Sequence, residues 1–431
     1  MRKLIITFAF IFLLFSNSLP AQAQTQKTSS NLALSKAQWR EDLQYFASEL
    51  QKRHKNLFHN VSREQFEKSV KELDAAIPTL EDYQIIVRML QITAKVGDGH
   101  TIVVPPEWFK ALPVRLYWFG DQLRVTHAAE PYKEALGARV IKIGNVGIKE
   151  AKERLIATVL SEVESKNEWY VLNMSASWMS SPEVLQTIGI APSAERVPFT
   201  FENDAGKQFT LEIVSLKRTA DAGGGAPKLP VPMLSAAKEE PLYRQKPNEG
   251  LWYVYLPDSQ TVYVNFRRYP KCSLLGGCQE FDDVMKLVDE SKATRLVFDL
   301  RGNGGGDSTK VRRSLIPAIQ KRAQINQKGH LFVITGRRTF SAALWNAIDF
   351  KKQTNAIIVG EPPGEQPNSY SENDEMTLPN SRLVVSYSTK YYRFLDEDVS
   401  AFMPDKLIPP DWETYKAGRD PVMDWILSNN K

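Results

Sequence analysis

Apolar residues recur with helical spacing in the first part of the chain and with strand-like spacing in the next part. Residues from about 34 to 96 place apolar side chains every three or four positions, as in LQYFASELQKRH and YQIIVRMLQITAKV, which is typical of amphipathic helices. From about 114 to 216, segments such as VRLYWF, ARVIKIG and FTLEIVSL alternate apolar and polar residues, which predicts short β-strands. GIKEAKERLIATVL predicts a helix among these strands. This part of the chain therefore has a mixed α/β pattern.

From residue 252 onward, strand-like and helical segments alternate. TVYVNF, TRLVFDLR, HLFVITG, AIIVGE and RLVVSY are apolar and rich in β-branched residues, whereas EFDDVMKLVDE, TKVRRSLIPAIQKRA and SAALWNAIDFKK have helical spacing. Continuous apolar strands separated by helices predict a largely parallel sheet that is covered on both faces. In open sheets of this class the site lies beyond the carboxyl ends of the strands. The turns after Arg301, Gly336 and Gly360 are therefore the places to search for chemistry.

The chain begins with the features of a secretory signal. Arg2 and Lys3 precede an apolar run at residues 4–15, and Ala21-Gln22-Ala23 fits the small-x-small cleavage pattern. A membrane anchor is the alternative, but the run is shorter than the ~20 residues that a spanning helix needs. We therefore predict an exported protein, periplasmic or secreted, with no stable membrane insertion after cleavage. The predicted division is a signal peptide at 1–23, a helical region at 24–100, a mixed α/β region at 101–221, a linker at 222–245 and an α/β core at 246–431.

Composition excludes some function classes and leaves the cysteines open. The chain is 42% hydrophobic and 24% charged with a formal net charge of +5, which is ordinary for a globular protein. No basic run or basic–aromatic interleaving favours nucleic acid as a partner. Cys272 and Cys278 are the two cysteines, and in an exported protein they form either a short disulfide loop or two free thiols. No histidine or carboxylate pattern accompanies them, so we expect no metal site.

Ser341 is the strongest candidate for a nucleophile. It follows the apolar strand LFVITG and a basic turn, and it opens the helix SAALWNAI. A serine at such a junction projects beyond the sheet, and the free N–H groups of the first helical turn can stabilise an oxyanion. Ala342 and Ala343 are small enough to leave room for a substrate. The alternative is that Ser341 is only a helix N-cap, because serine is a preferred capping residue.

Two glycine-rich loops add candidate groups. Residues 302–307 read GNGGGD after the strand LVFDLR, and such a loop can present backbone N–H groups to an anion. It carries no phosphate-loop or dinucleotide fingerprint, and a plain flexible turn is the alternative. His100 lies in the loop GDGHT at 97–101. The ordinary pKa of histidine lies near neutrality, which suits a general base, although a lone loop histidine is often only a surface residue.

Taken together, these segments resemble the carboxy-terminal-processing, or tail-specific, serine peptidases, which include the tricorn peptidase core. The matching pieces, in the same order as in the family, are GDGHT at 97–101, LVFDLRGNGGGD at 296–307, GRRTFSAA at 336–343, IIVGEPPG at 357–364 and MPD at 403–405. The resemblance covers nearly all of the chain after the signal. It implies a helical N-terminal part, a degenerate PDZ-like middle module around ALGARVIKIGNVGIKEAKERL, and a crotonase-like α/β core.

The resemblance also implies roles for individual residues. Ser341 would be the nucleophile, and the N–H of Ala342 with that of Gly305 or Gly306 would form the oxyanion hole. Many members carry a lysine base shortly after the Gly-Glu step, but residues 361–370 contain none, and Lys351 and Lys352 lie on the preceding helix. Tricorn-like members use an upstream histidine, and His100 stands in that position. The acid that orients it is one of three residues: Asp98, Glu397 and Asp398.

We therefore expect an exported serine peptidase that hydrolyses peptides or unfolded protein tails through an acyl-enzyme. This chemistry needs no cofactor, because a serine, a base and backbone N–H groups suffice. The alternative is a non-catalytic protein on the same fold that binds an apolar ligand or a peptide. The presence of both Ser341 and His100 favours the peptidase. The sequence identifies neither the cleavage specificity nor the oligomeric state.

Overall fold

The computed structural model describes residues 34–162, 166–218, 229, 231, 233–272 and 278–428. The predicted signal peptide lies outside these residues, as does most of the glycine- and proline-rich stretch of the predicted linker. Within the described ranges, no helix has both the length and the apolar character needed to cross a bilayer.

Three helices form the N-terminal part, as the helical spacing predicts. They are α1 (Lys36–Arg53), α2 (Arg63–Ala76) and α3 (Asp82–Ala94). Ser35 and Ser62 begin α1 and α2 with capping boxes, in which each serine hydroxyl accepts a backbone N–H three residues on. The buried faces of these helices, which include Trp39, Phe46 and Leu90, pack into one large apolar cluster. The helices end just before the loop that carries His100.

The middle of the chain forms a seven-stranded antiparallel sheet. Its region contains the strands β1 (Ile102–Val103), β2 (Lys110–Ala111), β3 (Val114–Phe119), β4 (Gln122–Ala129), β5 (Arg139–Ile143), β6 (Val146–Gly147), β7 (Arg196–Glu202), β8 (Gln208–Val214), β9 (Leu216–Lys217) and β10 (Met233–Ser235), and the helices α4 (Ile148–Thr158), α5 (Glu168–Trp178) and α6 (Pro182–Thr187). The sheet has the order β10-β4-β5-β7-β8, with β3 beside β4 and β6 beside β5. Strand β1 belongs to a different sheet, and β2 pairs with β9.

The last part of the chain contains a six-stranded sheet. The elements of this part of the chain are β11 (Leu251–Leu256), β12 (Thr261–Phe266), α7 (Gln279–Glu290), β13 (Arg295–Asp299), α8 (Ser308–Lys310), a π-helical turn (Val311–Leu315), α9 (Ile316–Gln320), β14 (Leu331–Thr335), α10 (Ala342–Gln353), β15 (Ile357–Gly360), β16 (Ser369–Thr377), β17 (Val384–Tyr392), β18 (Lys406–Leu407), α11 (Trp412–Lys416) and α12 (Pro421–Ser428). The six-stranded sheet has the order β11-β12-β13-β14-β15-β18. In this sheet β12, β13, β14, β15 and β18 are parallel to one another, and β11 is antiparallel to β12.

Helices cover both faces of this sheet, as predicted. Val262, Val264 and Phe266 of β12 pack on one face in the cluster that includes α7 and α10. Tyr263, between them, points to the other face and packs in the cluster that includes α12. Because alternate residues of a strand point to opposite faces, two apolar layers require strands that are apolar throughout, and this is what the sequence shows. The carboxyl ends of β13, β14 and β15 therefore lie at one edge.

The prediction that RLVVSY is a strand of this parallel sheet is wrong. These residues lie at β17, which pairs antiparallel with β16 and with β1. The hairpin packs against the N-terminal helices, because Met376, Leu378 and Val385 belong to their apolar cluster. A segment of the predicted core thus crosses to the N-terminal part and lies beside His100, which immediately precedes β1.

Candidate active site

Ser341 lies on a strained turn between β14 and α10. Its backbone has φ +53° and ψ −130°, a left-handed conformation that is unfavourable for any residue other than glycine. The Thr339 hydroxyl fixes the turn, because it donates to Leu300 O at 2.8 Å and accepts from Gly336 N at 3.0 Å. Ser341 occupies the N-cap position, but its side chain makes no capping hydrogen bond. Helix capping therefore does not explain this serine.

The GNGGGD loop packs directly on Ser341. Gly305 has φ +112°, and a Cβ added there would lie 2.8 Å from the Ser341 Cβ, so only glycine fits at this approach. The Gly305 N–H is already taken, because it donates to Asn303 Oδ1 at 3.0 Å. Among the described residues, the N–H groups of Gly306 and Ala342 have no hydrogen-bond partner. These two groups are the ones that remain available to an anion.

His100 lies in the same neighbourhood and is almost fully buried. Its ring stands 5.0 Å, between centroids, from the ring of Phe340, the residue before Ser341. Its Nε2 is 3.2 Å from Ser371 Oγ on β16, and its Nδ1 is 3.7 Å from Glu365 Oε1. No hydrogen bond joins the His100 ring to the Ser341 hydroxyl among the described residues. The structure thus brings the two predicted residues together and places a carboxylate at the imidazole.

Glu365 is the group that sequence reasoning missed. It is fully buried, its Oε2 accepts the backbone N–H of Ser341, and its Oε1 accepts from Ser369 Oγ at 3.1 Å. Burial raises the pKa of Glu365, opposed by the neighbouring His100 and by the Ser341 N–H. The residue therefore contacts the backbone of the candidate nucleophile and faces the candidate base. It lies within residues 361–370, where no lysine is found.

The three acids predicted to orient His100 lie elsewhere. Asp98 accepts the backbone N–H of His100, but its Oδ2 is bound to His54 Nε2 at 2.9 Å rather than to the His100 ring. Burial alone would raise the pKa of Asp98, but hydrogen bonds from His54 and other neighbours outweigh it and lower that pKa. Glu397 and Asp398 are exposed, and the Asp398 carboxylate accepts from Asn368 Nδ2 at 2.7 Å. On this geometry Glu365 is the better placed candidate, because its Oε1 lies 3.7 Å from His100 Nδ1.

The two lysines near the end of α10 are bonded to other segments. Lys351 forms an ion pair with Asp405, and Lys352 Nζ donates to Phe394 O. Cys272 and Cys278 are joined by a disulfide ahead of α7. No group of three or more potential metal ligands occurs among the described residues.

A cavity of about 280 Å³ opens beside these groups. Gly99, Gly304 and Phe340, the sequence neighbours of His100, Gly305 and Ser341, contribute to its wall. The rest of the lining is mostly apolar, with one cation, and consists of Leu90, Thr93, Ala94, Thr101, Ile102, Val159, Ser161, Tyr170, Asn173, Met174, Trp178 and Arg338. An uncharged side chain of moderate size fits such a site.

The fold is similar to that of CPAF. Mature CPAF in complex with lactacystin aligns with a TM-score of 0.58 at 10% identity, over 91% of this chain and 97% of that chain. A second structure of mature CPAF gives a TM-score of 0.57 at 10% identity, over 91% and 96%. The photosystem II D1 C-terminal processing protease aligns with a TM-score of 0.39 at 12% identity, over 89% and 98%. The sequence matches no protein-family model and no curated protein. The likeness to CPAF establishes a mixed α/β fold over nearly the whole length of both chains.

Proposed function

We propose that this protein is a serine peptidase of the tail-specific type, which hydrolyses peptides or unfolded protein tails through an acyl-enzyme. The observation that carries the proposal is Ser341, a half-buried serine on a turn, in a left-handed conformation and with no capping bond. Backbone strain of this kind persists where the surrounding structure enforces it, and it clusters at active sites. A serine on a sharp strand-to-helix turn is the arrangement that exposes a nucleophile.

In this proposal the six-stranded sheet with its helices is a crotonase-like core, and the seven-stranded sheet is a degenerate PDZ-like module. The parallel strands β12 to β15 and the glycine-rich loop after β13 support the first assignment. The position of α4 directly after β5 and β6 supports the second. The core supplies Ser341 and the glycine loop, whereas His100 comes from the end of the N-terminal helices.

The proposed reaction begins when Ser341 Oγ attacks the carbonyl carbon of the scissile bond. The hydroxyl proton passes to His100, directly or through one water, while Glu365 stabilises the imidazolium that forms. The N–H groups of Gly306 and Ala342 bind the oxyanion of the tetrahedral intermediate. Its collapse breaks the C–N bond, and His100 gives the proton to the leaving amine. A water then attacks the acyl-enzyme, with His100 accepting its proton and returning it to Ser341.

The cavity suggests what the site binds. Its wall is mostly apolar and adjoins the neighbours of Ser341 and His100, so burial of an uncharged side chain would contribute to substrate affinity. We also propose that the protein acts after export, to the periplasm or the medium. The N-terminal charged, apolar and small-residue pattern supports this location, and so does the disulfide between Cys272 and Cys278.

Covalent labelling tests the proposal directly. A fluorophosphonate probe should label the wild-type protein stoichiometrically, and Ser341→Ala should lose both labelling and hydrolysis of an unfolded test protein. Losing a nucleophile costs on the order of 10³-fold or more in rate. Ser48→Ala, which removes an exposed hydroxyl from α1, is the matched control and should behave as wild type. A wild-type protein that neither labels nor hydrolyses would instead support the non-catalytic binding protein.

A further inference from the structure

A second buried glutamate lies behind the loop that carries His100. Glu162 is 3% exposed, and its Oε1 accepts the backbone N–H of Gly99 at 2.8 Å. A Cβ added to Gly99 would lie 2.6 Å from that oxygen and 2.8 Å from Phe340 Cζ. The Glu162 carboxyl and the Phe340 ring therefore enclose the residue immediately before His100. A larger side chain at Gly99 would force one of these two groups to move.

The same carboxyl reaches the segment that carries Glu365. It lies close enough to the backbone N–H of Gln366, the next residue along the chain, for that group to oppose the rise of its pKa. One side chain thus connects the loop of the candidate base to the loop of the candidate acid. The Glu162 backbone is itself held at φ +54°, an unfavourable conformation for a non-glycine residue. Strain at a buried acid between two loops points to a constrained role rather than to chance packing.

The charges around Glu162 fit a neutral carboxyl. Burial raises the pKa of Glu162 well above its usual range, and the charges of Glu365 and Asp98 raise it further. The Tyr170 hydroxyl, which is bonded to the Ser161 hydroxyl at 2.7 Å, is near enough to the same carboxyl for an ionised Glu162 to raise the pKa of that tyrosine. Glu365 can then carry the negative charge beside His100 without a second full charge next to it.

We propose that Glu162 is a positioning residue for the proposed reaction, which holds His100 and Glu365 in their relative places by accepting the backbone N–H of Gly99 and by packing beside the backbone of Gln366. The inference rests on the proposed function. Glu162 touches neither Ser341 nor the imidazole in any described contact, so its effect would pass through the two loops. A small displacement of a base from its productive place can lower a rate by on the order of 10²-fold.

Two substitutions separate this role from a purely structural one. Glu162→Ala removes the bond to Gly99 and the carboxyl beside Gln366, and we expect kcat to fall by about 10- to 100-fold, while KM stays within about twofold because the cavity is intact. Glu162→Gln keeps a carbonyl oxygen for the Gly99 N–H and matches the shape of a neutral acid. It should retain kcat within about threefold of wild type. The rate of fluorophosphonate labelling of Ser341 should fall in parallel with kcat.

Glu183 supplies the matched control. It is also buried, at 4% exposed, and its Oε1 accepts the backbone N–H of Lys110 at 2.8 Å, but neither residue lines the cavity. Glu183→Ala should lower the melting temperature about as much as Glu162→Ala and leave kcat unchanged. If Glu162→Ala does not fold, Glu162→Asp, which shortens the reach by one methylene, takes its place with the same expected loss of kcat.

Three results would overturn the inference. These are an unchanged kcat in Glu162→Ala or its Asp substitute, an equal loss of kcat in Glu183→Ala, and a failure of Glu162→Gln to restore the rate. A wild-type protein without labelling or hydrolysis refutes the proposed function and this role together. An active wild type with any of the three results refutes the role of Glu162 alone.

Discussion

At the scale of single residues, the site depends on Ser341 and on the two ionisable groups at its side. The conformation of Ser341 is unfavourable by about 1–3 kcal/mol relative to ordinary backbone, and neighbouring groups hold it there. Glu365 accepts the Ser341 N–H, and Gly305 packs on its Cβ. His100 lies against Phe340 and faces Glu365. Glu365, to which the proposed mechanism gives a role, is thus also one of the groups that hold Ser341 in this conformation.

The pH dependence of the rate tests His100 as the base. A histidine accepts a proton only when neutral, so kcat/KM should fall as the pH is lowered below neutrality. His100→Ala should lower kcat/KM by about 100-fold or more and abolish this acid limb. His330→Ala, which alters a histidine bound to Thr294 O in a distant turn, is the control and should keep both. A His100→Ala variant that retains its rate and its acid limb would exclude the histidine mechanism.

The sequence could predict two of these residues but not the third. Ser341 and His100 stand in local patterns that carry chemical meaning, a strand-to-helix junction and a glycine-flanked loop. Glu365 lies in a proline-rich loop whose path between β15 and β16 sets its position, and no local pattern specifies that path. Glu365 lies in residues 361–370, the stretch in which the family pattern predicts a lysine and this sequence has none. The signal available in that stretch was Glu365 itself, a carboxylate that could partner His100.

At the scale of elements, the loop after β13 has a precise steric requirement. Gly305→Ala would place a Cβ 2.8 Å from the Ser341 Cβ and impose φ +112° on an alanine. We expect kcat to fall by about 100-fold or more, because Ser341 must move, and the melting temperature to drop. Gly304→Ala is the control, since an added Cβ there meets no atom within 4 Å. Equal activity of the two variants would show that the loop does not set the position of Ser341.

Helix α6 provides a pH-dependent contribution to stability. Burial raises the pKa of Glu183 to about 7 from an ordinary 4.5, although the Lys110 N–H opposes the shift. A raised pKa means that the folded protein holds this proton more tightly, so the contribution is complete below about pH 4.5 and is lost as the pH rises through about 7. Glutamine does not ionise, so the melting temperature of Glu183→Gln should decrease less between pH 5 and pH 8 than that of wild type. Parallel curves for the two proteins would contradict the shift.

Element type was easier to predict than element partnership. The capping boxes and apolar faces of α1 and α2 fix their identity locally. The sequence of β17 fits a strand of the parallel sheet as well as a strand of a hairpin, because apolar and β-branched residues are favoured in both settings. Its pairing with β1 depends on a long-range contact with the N-terminal helices. Helix α5 was not predicted, since its apolar residues do not form a single face.

At the scale of the whole molecule, a buried ion pair joins the seven-stranded sheet to the turn that carries Ser341. Arg337, four residues before Ser341, pairs with Glu361 and donates to Trp118 O of β3 at 2.9 Å. The Tyr117 hydroxyl, also from β3, donates to the same Glu361 at 2.9 Å. Both charged groups are almost completely buried. No sequence pattern predicts this contact, because its partners come from three segments that are distant in the chain.

Removing one member of this network leaves the other charge buried and unpaired. Arg337→Met should therefore lower the free energy of unfolding by about 3–5 kcal/mol, measured by chemical denaturation. Arg338→Met, at the exposed neighbouring position, should change stability by no more than about 0.5 kcal/mol. The double variant Arg337→Met/Glu361→Met should recover part of the loss, because apolar replacement of a whole buried pair is often neutral. If the middle sheet helps to hold the turn, kcat will stay low in that double variant after stability returns. Full recovery of kcat would mean that the pair stabilises the fold without positioning Ser341.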